Sequence, residues 1–238
     1  MSLILIQTIV QSVGSTIAWF GFYIGIRALP GSKARQWLWT IGSAVVAAVW
    51  LIGVFLLGAG NVFRNDVLTT RIPIAIGATL FVGYLLLLSP TFRHIVDAVP
   101  QHWLIGIQTF RILGGLFLVR YFAGELPGLF ALPAGIGDVA TGLLAPFVAY
   151  AWYSGKPYAR GVAIAWNLFG MADLVNAVAL GALTGGGGIV FPIVLVPVYG
   201  VPRAFLIHSY SLIGLLGKTS HQPQRVESPH YGMDAARA

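Results

Sequence analysis

The sequence predicts an all-α protein, a polytopic integral membrane bundle of seven transmembrane helices with a short interfacial helix. Three observations carry that prediction. Of 238 residues, 57% are hydrophobic and only 9% are charged, with a mean hydropathy of +0.83. Soluble domains carry about a quarter charged residues, so a water-facing surface cannot be covered and an ordinary soluble enzyme is excluded. Seven apolar stretches approach or exceed the roughly 20 residues that cross a hydrocarbon core. Finally, the basic residues of the connections divide unevenly between two sides.

The first stretch runs from Leu3 to Ile26. It has no basic leader and no small-residue cleavage site, so it is expected to be a retained helix. Thr8, Gln11, Ser12 and Ser15 recur at helical spacing with Gln7 beside them, a neutral polar stripe that either lines a vestibule or bonds across helices. Gly21 and Gly25 form a helix-packing motif. The second and third stretches are Trp37 to Ala59 and Ile72 to Leu88. After Ser89-Pro90, the apolar residues Phe92, Ile95, Val96 and Val99 oppose Arg93, His94 and Asp97, which predicts the short amphipathic interfacial helix, ended by Pro100.

The remaining spans are His102 to Phe122, Leu129 to Tyr153 (where Pro146 can kink the helix), Val162 to Leu183 and Ile189 to Leu216. Pro192, Pro197, Pro202 and Gly200 predict a broken rather than a continuous seventh helix, because each proline removes a backbone donor. Carbonyls freed at that depth must be buried in protein or face a wet cavity. The TGGGG run from Thr184 to Gly188 reads as an uncharged loop. Residues 1–217 are expected to form one transmembrane domain and residues 218–238, which lack apolar periodicity, a disordered cytoplasmic tail.

Charge sets the expected orientation. Arg27, Lys33, Arg35, Arg93, Lys156, Arg160, Lys218, Arg225 and Arg237 fall on one side; Arg64, Arg71 and Arg120 fall on the other. The positive-inside rule then places the N-terminus outside and the C-terminus in the cytoplasm, in a membrane of the bacterial inner-membrane type. The formal charge of +7 follows from the same loops, so no nucleic-acid partner is expected.

Function is sought among the ionisable residues within spans, because each is costly there. Arg111 lies mid-span, with Leu104, Ile107, Gln108, Gly114, Gly115 and Leu118 on its predicted face. Asp138 shares a face with Ala134, Gly135, Thr141 and Gly142, and Asp173 with Phe169, Gly170, Asn176, Ala177 and Gly181. Arg203 and His208 follow the proline-rich break, about 140° apart on a regular helix. A purely structural reading makes two neutral salt bridges from two arginines and two aspartates.

The functional readings differ in what they ask of this set. A small-solute or proton-coupled transporter would use Arg111, Asp138, Asp173, Asn176, Arg203 and His208 to bind substrate or protons, with no cofactor. An aspartate paired with arginine holds its charge, and one that loses its partner in a dry interior takes a proton. A metal-dependent intramembrane enzyme would hold a divalent ion such as Zn or Fe on Asp138, Asp173 and His208. A structural subunit of a larger membrane complex, or a homo-oligomer, is the third reading. Haem is disfavoured because only His208 lies deep, retinal because no span contains a lysine, and thiolate sites because there is no cysteine. The lipid bilayer is the partner common to all readings.

Overall fold

The computed structural model describes residues 3–63, 71–184 and 191–217. Arg64, the glycine run from 185 to 188 and the tail from 218 lie outside the described residues, so the expectations placed on them stay as stated. The described chain is helical without a strand. Its α-helices are α1 (Leu3–Arg27), α2 (Lys33–Ala59), α3 (Arg71–Leu86), α4 (Pro90–Ala98), α5 (Gln101–Gly106), α6 (Gly115–Phe122), α7 (Gly128–Tyr153), α8 (Ala159–Leu183) and α9 (Val201–Leu216). A 3₁₀ segment, Ile107–Gly114, joins α5 to α6, and a π turn, Val196–Gly200, leads into α9.

By length and composition, five helices of the described chain suffice to cross a membrane, or six if α3 and α4 count as one broken span. Seven is not reached because α3 and α9 have 16 residues each. At 1.5 Å per residue either is about 24 Å long, short of a core about 30 Å thick. The apolar surface confirms the solvent. In α2, Leu38, Val46 and Val49 are each more than 60% exposed, an arrangement stable only against lipid. This is a multi-pass integral membrane protein.

Ser89 caps α4 by accepting from the Phe92 amide, and Pro90 stands in its first turn, so α3 cannot simply continue. The chain bends by 95°. The amphipathic face forms as the spacing predicts, and protein covers it: Ile95 is fully buried, its carbonyl lying where a Cβ on Gly25 of α1 would fall, and the Phe92 ring meets Phe22 at 5.4 Å. Arg93, His94 and Asp97 face outward.

The fourth span departs from the expected regular helix in being α–3₁₀–α. α7 packs most extensively against it and against α8. Pro133 and Pro146 both lie inside α7, which runs unbroken for 26 residues. Irregular backbone before α9 lies where the prolines predict, and Pro192 to Leu195 and Val198 to Gly200 are buried in protein, which shields their polar groups from lipid.

Candidate functional site

A helix with three residues per turn aligns positions i, i+3 and i+6. In the 3₁₀ segment this row is Gln108, Arg111 and Gly114, and it turns both polar side chains into the bundle, where Gln108 is fully buried and Arg111 is 3% exposed. The Gln108 amide donates to the Ala204 carbonyl of α9 at 2.9 Å.

Arg111 ties three elements together. Its Nε donates to Asp138 Oδ1 on α7 at 2.7 Å, its Nη2 to Asp173 Oδ2 on α8, and its Nη1 to the Gly170 carbonyl at 3.0 Å. A further Nη1 contact reaches His208 Nε2 on α9 at 3.2 Å. The histidine tautomer follows from its other side. Asn167 gives its amide hydrogens to the Ala163 carbonyl and Ser211 Oγ, which leaves Oδ1 as acceptor for His208 Nδ1 at 2.9 Å. Nδ1 therefore carries the proton, and Nε2 is a lone pair facing the guanidinium.

Glycines make the room. A Cβ on Gly137 would fall on the Asp173 carboxylate, one on Gly114 on Asp138, and one on Gly170 on the His208 ring. Small residues at these crossings let three helices converge on one guanidinium.

Arg203 is elsewhere. It is 6% exposed and points to α1, where Nη1 donates to Ser15 Oγ at 2.8 Å and Nη2 approaches Gln11 Oε1 at 3.5 Å. Its guanidinium lies over the Phe110 ring at 4.7 Å and the Tyr199 ring at 5.1 Å, and its Nε has no partner. The two arginines therefore do not pair one-to-one with the two aspartates: Arg111 takes both, and among the described residues Arg203 takes only neutral acceptors.

Other expectations are adjusted by the same geometry. Asn176 is exposed on α8 and joins no part of the cluster; the buried asparagine is Asn167. The signal for it was present, since Ala163, Trp166, Asn167, Gly170 and Leu174 keep helical spacing and are all buried. On α1 the buried stripe is Gln7, Gln11 and Gly14, with Ser15 half-buried, whereas Thr8 bonds back to the Ile4 carbonyl. Among the described residues no three His, Asp or Glu side chains are grouped to hold a metal. The Arg111 guanidinium sits between Asp138 and Asp173, so Asp138, Asp173 and His208 do not fit a divalent ion.

A cavity of about 50 Å³ lies beside the cluster, lined by Gln7 and Gln11 of α1, Phe110, Arg111 and Arg120 of the fourth span, Asp138 of α7 and Gly200 of the π turn. That is room for about three waters.

A family model described as a domain of unknown function (DUF8737) matches residues 69–216, and the chain belongs to that family. The chain is also 28% identical over 149 residues to a voltage-gated ClC-type chloride channel, ClcB, of Salmonella typhi. That match covers 60% of this chain and 36% of the relative, so the chain spans about a third of the length of the curated protein it matches. No solved structure gives a significant match.

Proposed function

We propose that this DUF8737 chain is a proton-coupled transporter of a small solute in a bacterial inner membrane, with its N-terminus outside and its C-terminus in the cytoplasm. One observation carries the reading: a single guanidinium in the middle of a span holds two carboxylates, next to a mostly apolar cavity into which Gln7, Gln11, Arg111, Arg120 and Asp138 bring polar groups. One positive charge against two negative ones is an unbalanced set that a single proton neutralises. A structural ion pair has no need of the second carboxylate. The partial similarity to a chloride channel supports membrane transport as the class.

The 3₁₀ segment supplies a moving part. Its residues advance about 120° each, against about 100° in an α-helix, so rewinding from Ile107 to Arg111 would swing the arginine by about 80°. Arg111 would then leave at least one aspartate. In the dry interior that aspartate accepts a proton, and the return of Arg111 expels it. His208, held by Asn167 with its lone pair toward Arg111, positions the guanidinium in the resting arrangement.

The test is proton flux into proteoliposomes, read by an internal pH dye under an imposed gradient. Asp173→Asn abolishes solute-dependent proton flux, and the variant remains folded in detergent. Retained proton flux in Asp173→Asn would sink the proposal.

A further inference from the structure

We propose that the solute is a small monovalent anion, bound in the cavity that Gln7, Gln11, Arg111 and Arg120 line, with Arg203 behind Gln11. This rests on the transporter reading for its role in flux, and on independent observations for the binding site itself.

The first observation is an elimination among carboxylates. Four acidic side chains lie in the described residues, and each is engaged by another arginine: Asp97 by Arg93, Glu125 by Arg120, and Asp138 and Asp173 by Arg111. None of these four remains for Arg203, which among the described residues is a buried cation with neutral acceptors alone. Such a charge is expensive unless an anion accompanies it.

The second observation is a set of unused polar atoms in the cavity wall and just behind it. Arg203 Nε and Arg120 Nε are both buried donors without a partner, and Gln7 is buried with its Oε1 unmatched. Gln7, Gln11 and Arg120 line the cavity. Gln11 turns its Oε1 to Arg203, which leaves its amide hydrogens as further donors. Phe110, a cavity wall, and Tyr199 flank Arg203 with ring faces, so Gln11 is the polar side chain that links this guanidinium to the cavity.

Charge and volume fix the class. Summed over the cavity and the cluster, Arg111, Arg120 and Arg203 equal Asp138, Asp173 and Glu125 in number, but the surplus carboxylate lies in the Arg111 cluster and not on Arg203. His208 is neutral in its hydrogen-bonded tautomer, and the Tyr199 hydroxyl bonds to Ser15 Oγ at 2.6 Å. One proton on the aspartate pair leaves one positive charge, which one monovalent anion cancels. The cavity of about 50 Å³ suits an anion of about one to four non-hydrogen atoms, such as a halide, nitrate or formate.

The experiment measures the thermal unfolding midpoint of the full chain in detergent, titrated with sodium chloride, nitrate or formate. Gluconate, too large for the cavity, holds ionic strength constant. At least one small anion raises the midpoint saturably, because a ligand that binds only the folded state stabilises it. Arg203→Gln weakens that effect about tenfold or more, and Arg203→Lys retains part of it. Gln11→Glu guards against a variant that only misfolds. It supplies Arg203 with an internal carboxylate, so the protein is at least as stable as wild type while the anion response disappears. An undiminished response in Gln11→Glu, or none in wild type with any of the three anions, overturns the site. Asp173→Asn separates the two readings, since it stops proton flux and keeps the anion response. Proton flux in wild type that ignores all three anions leaves the transporter and removes this proposal.

Discussion

Gly137 and Asp173 belong to different helices, yet a methyl group on the first would occupy the carboxylate of the second. Gly137→Ala is therefore expected to cost about 1–3 kcal/mol through overpacking. Nothing lies within 4 Å of a Cβ added at Gly42 or Gly77, so alanine there gains about 0.5–1 kcal/mol from helix propensity. Thermal unfolding in detergent compares the three; equal midpoints would show that the glycine carries no packing demand. Asn167→Leu probes the next contact. It strands His208 Nδ1–H and removes a donor to Ser211, at an expected cost of about 1–3 kcal/mol in the same measurement. These residues show what the sequence does and does not disclose. Arg111, Asp138 and Asp173 were visible because a charge inside an apolar run has no bland placement. Asn167 and Asn176 differ only in helical phase, and the face assigned through Asp173 selected the wrong one. Asp173 sits at the edge of the buried stripe rather than at its centre.

Among elements, the 3₁₀ segment was the least legible. Hydropathy measures partition into lipid, and Ile107 to Gly114 has the same average whether its amides bond three or four residues back. What holds the tighter winding is tertiary: Arg111 is anchored at α7, α8 and α9 at once. Loosening one anchor should loosen the segment. In hydrogen–deuterium exchange, Asp138→Asn is expected to speed exchange at residues 107–114 while leaving α7 protected. Unchanged exchange there would mean that the winding is independent of the ion cluster and cannot serve as its switch. The α4 helix gives the opposite lesson. Its four-residue apolar pattern and the Ser89-Pro90 start were sufficient to predict it, because cap chemistry and period act locally. Its packing partner was not predictable, since only the folded chain brings the Ile95 carbonyl against Gly25. Gly25→Val should displace α4 and speed tryptic cleavage after Arg93, whose side chain is 67% exposed already.

At the scale of the whole molecule, the proposed coupling needs a defined direction, and direction comes from loop charge. The connections after α1, α4 and α7 share one side if successive spans alternate, and Arg27, Lys33, Arg35, Arg93, Lys156 and Arg160 all fall there. Arg120 in the last turn of α6 and Glu125 in the connection after it are joined at 2.6 Å, so the charge at that end is largely cancelled. In the orientation proposed above from the positive-inside rule, the first group lies in the cytoplasm. The cavity and the α1 stripe lie in the half of the bundle nearest Arg120 and the N-terminal turn of α1, so an anion would enter from outside and meet Arg120 first. The chain has no cysteine, which makes the orientation directly measurable. Single cysteines at Ser32 and Gly124, which are exposed, and at Gly155, which is half-buried, all lie in connections between helices where a membrane-impermeant maleimide can be offered from either side. In intact cells only Gly124→Cys is expected to label; in inside-out vesicles only Ser32→Cys and Gly155→Cys. The reverse pattern would turn the bundle over. Because the Arg120 side would then face the cytoplasm, an inward proton gradient could no longer load the anion from outside, and the same cluster would have to work as an exporter.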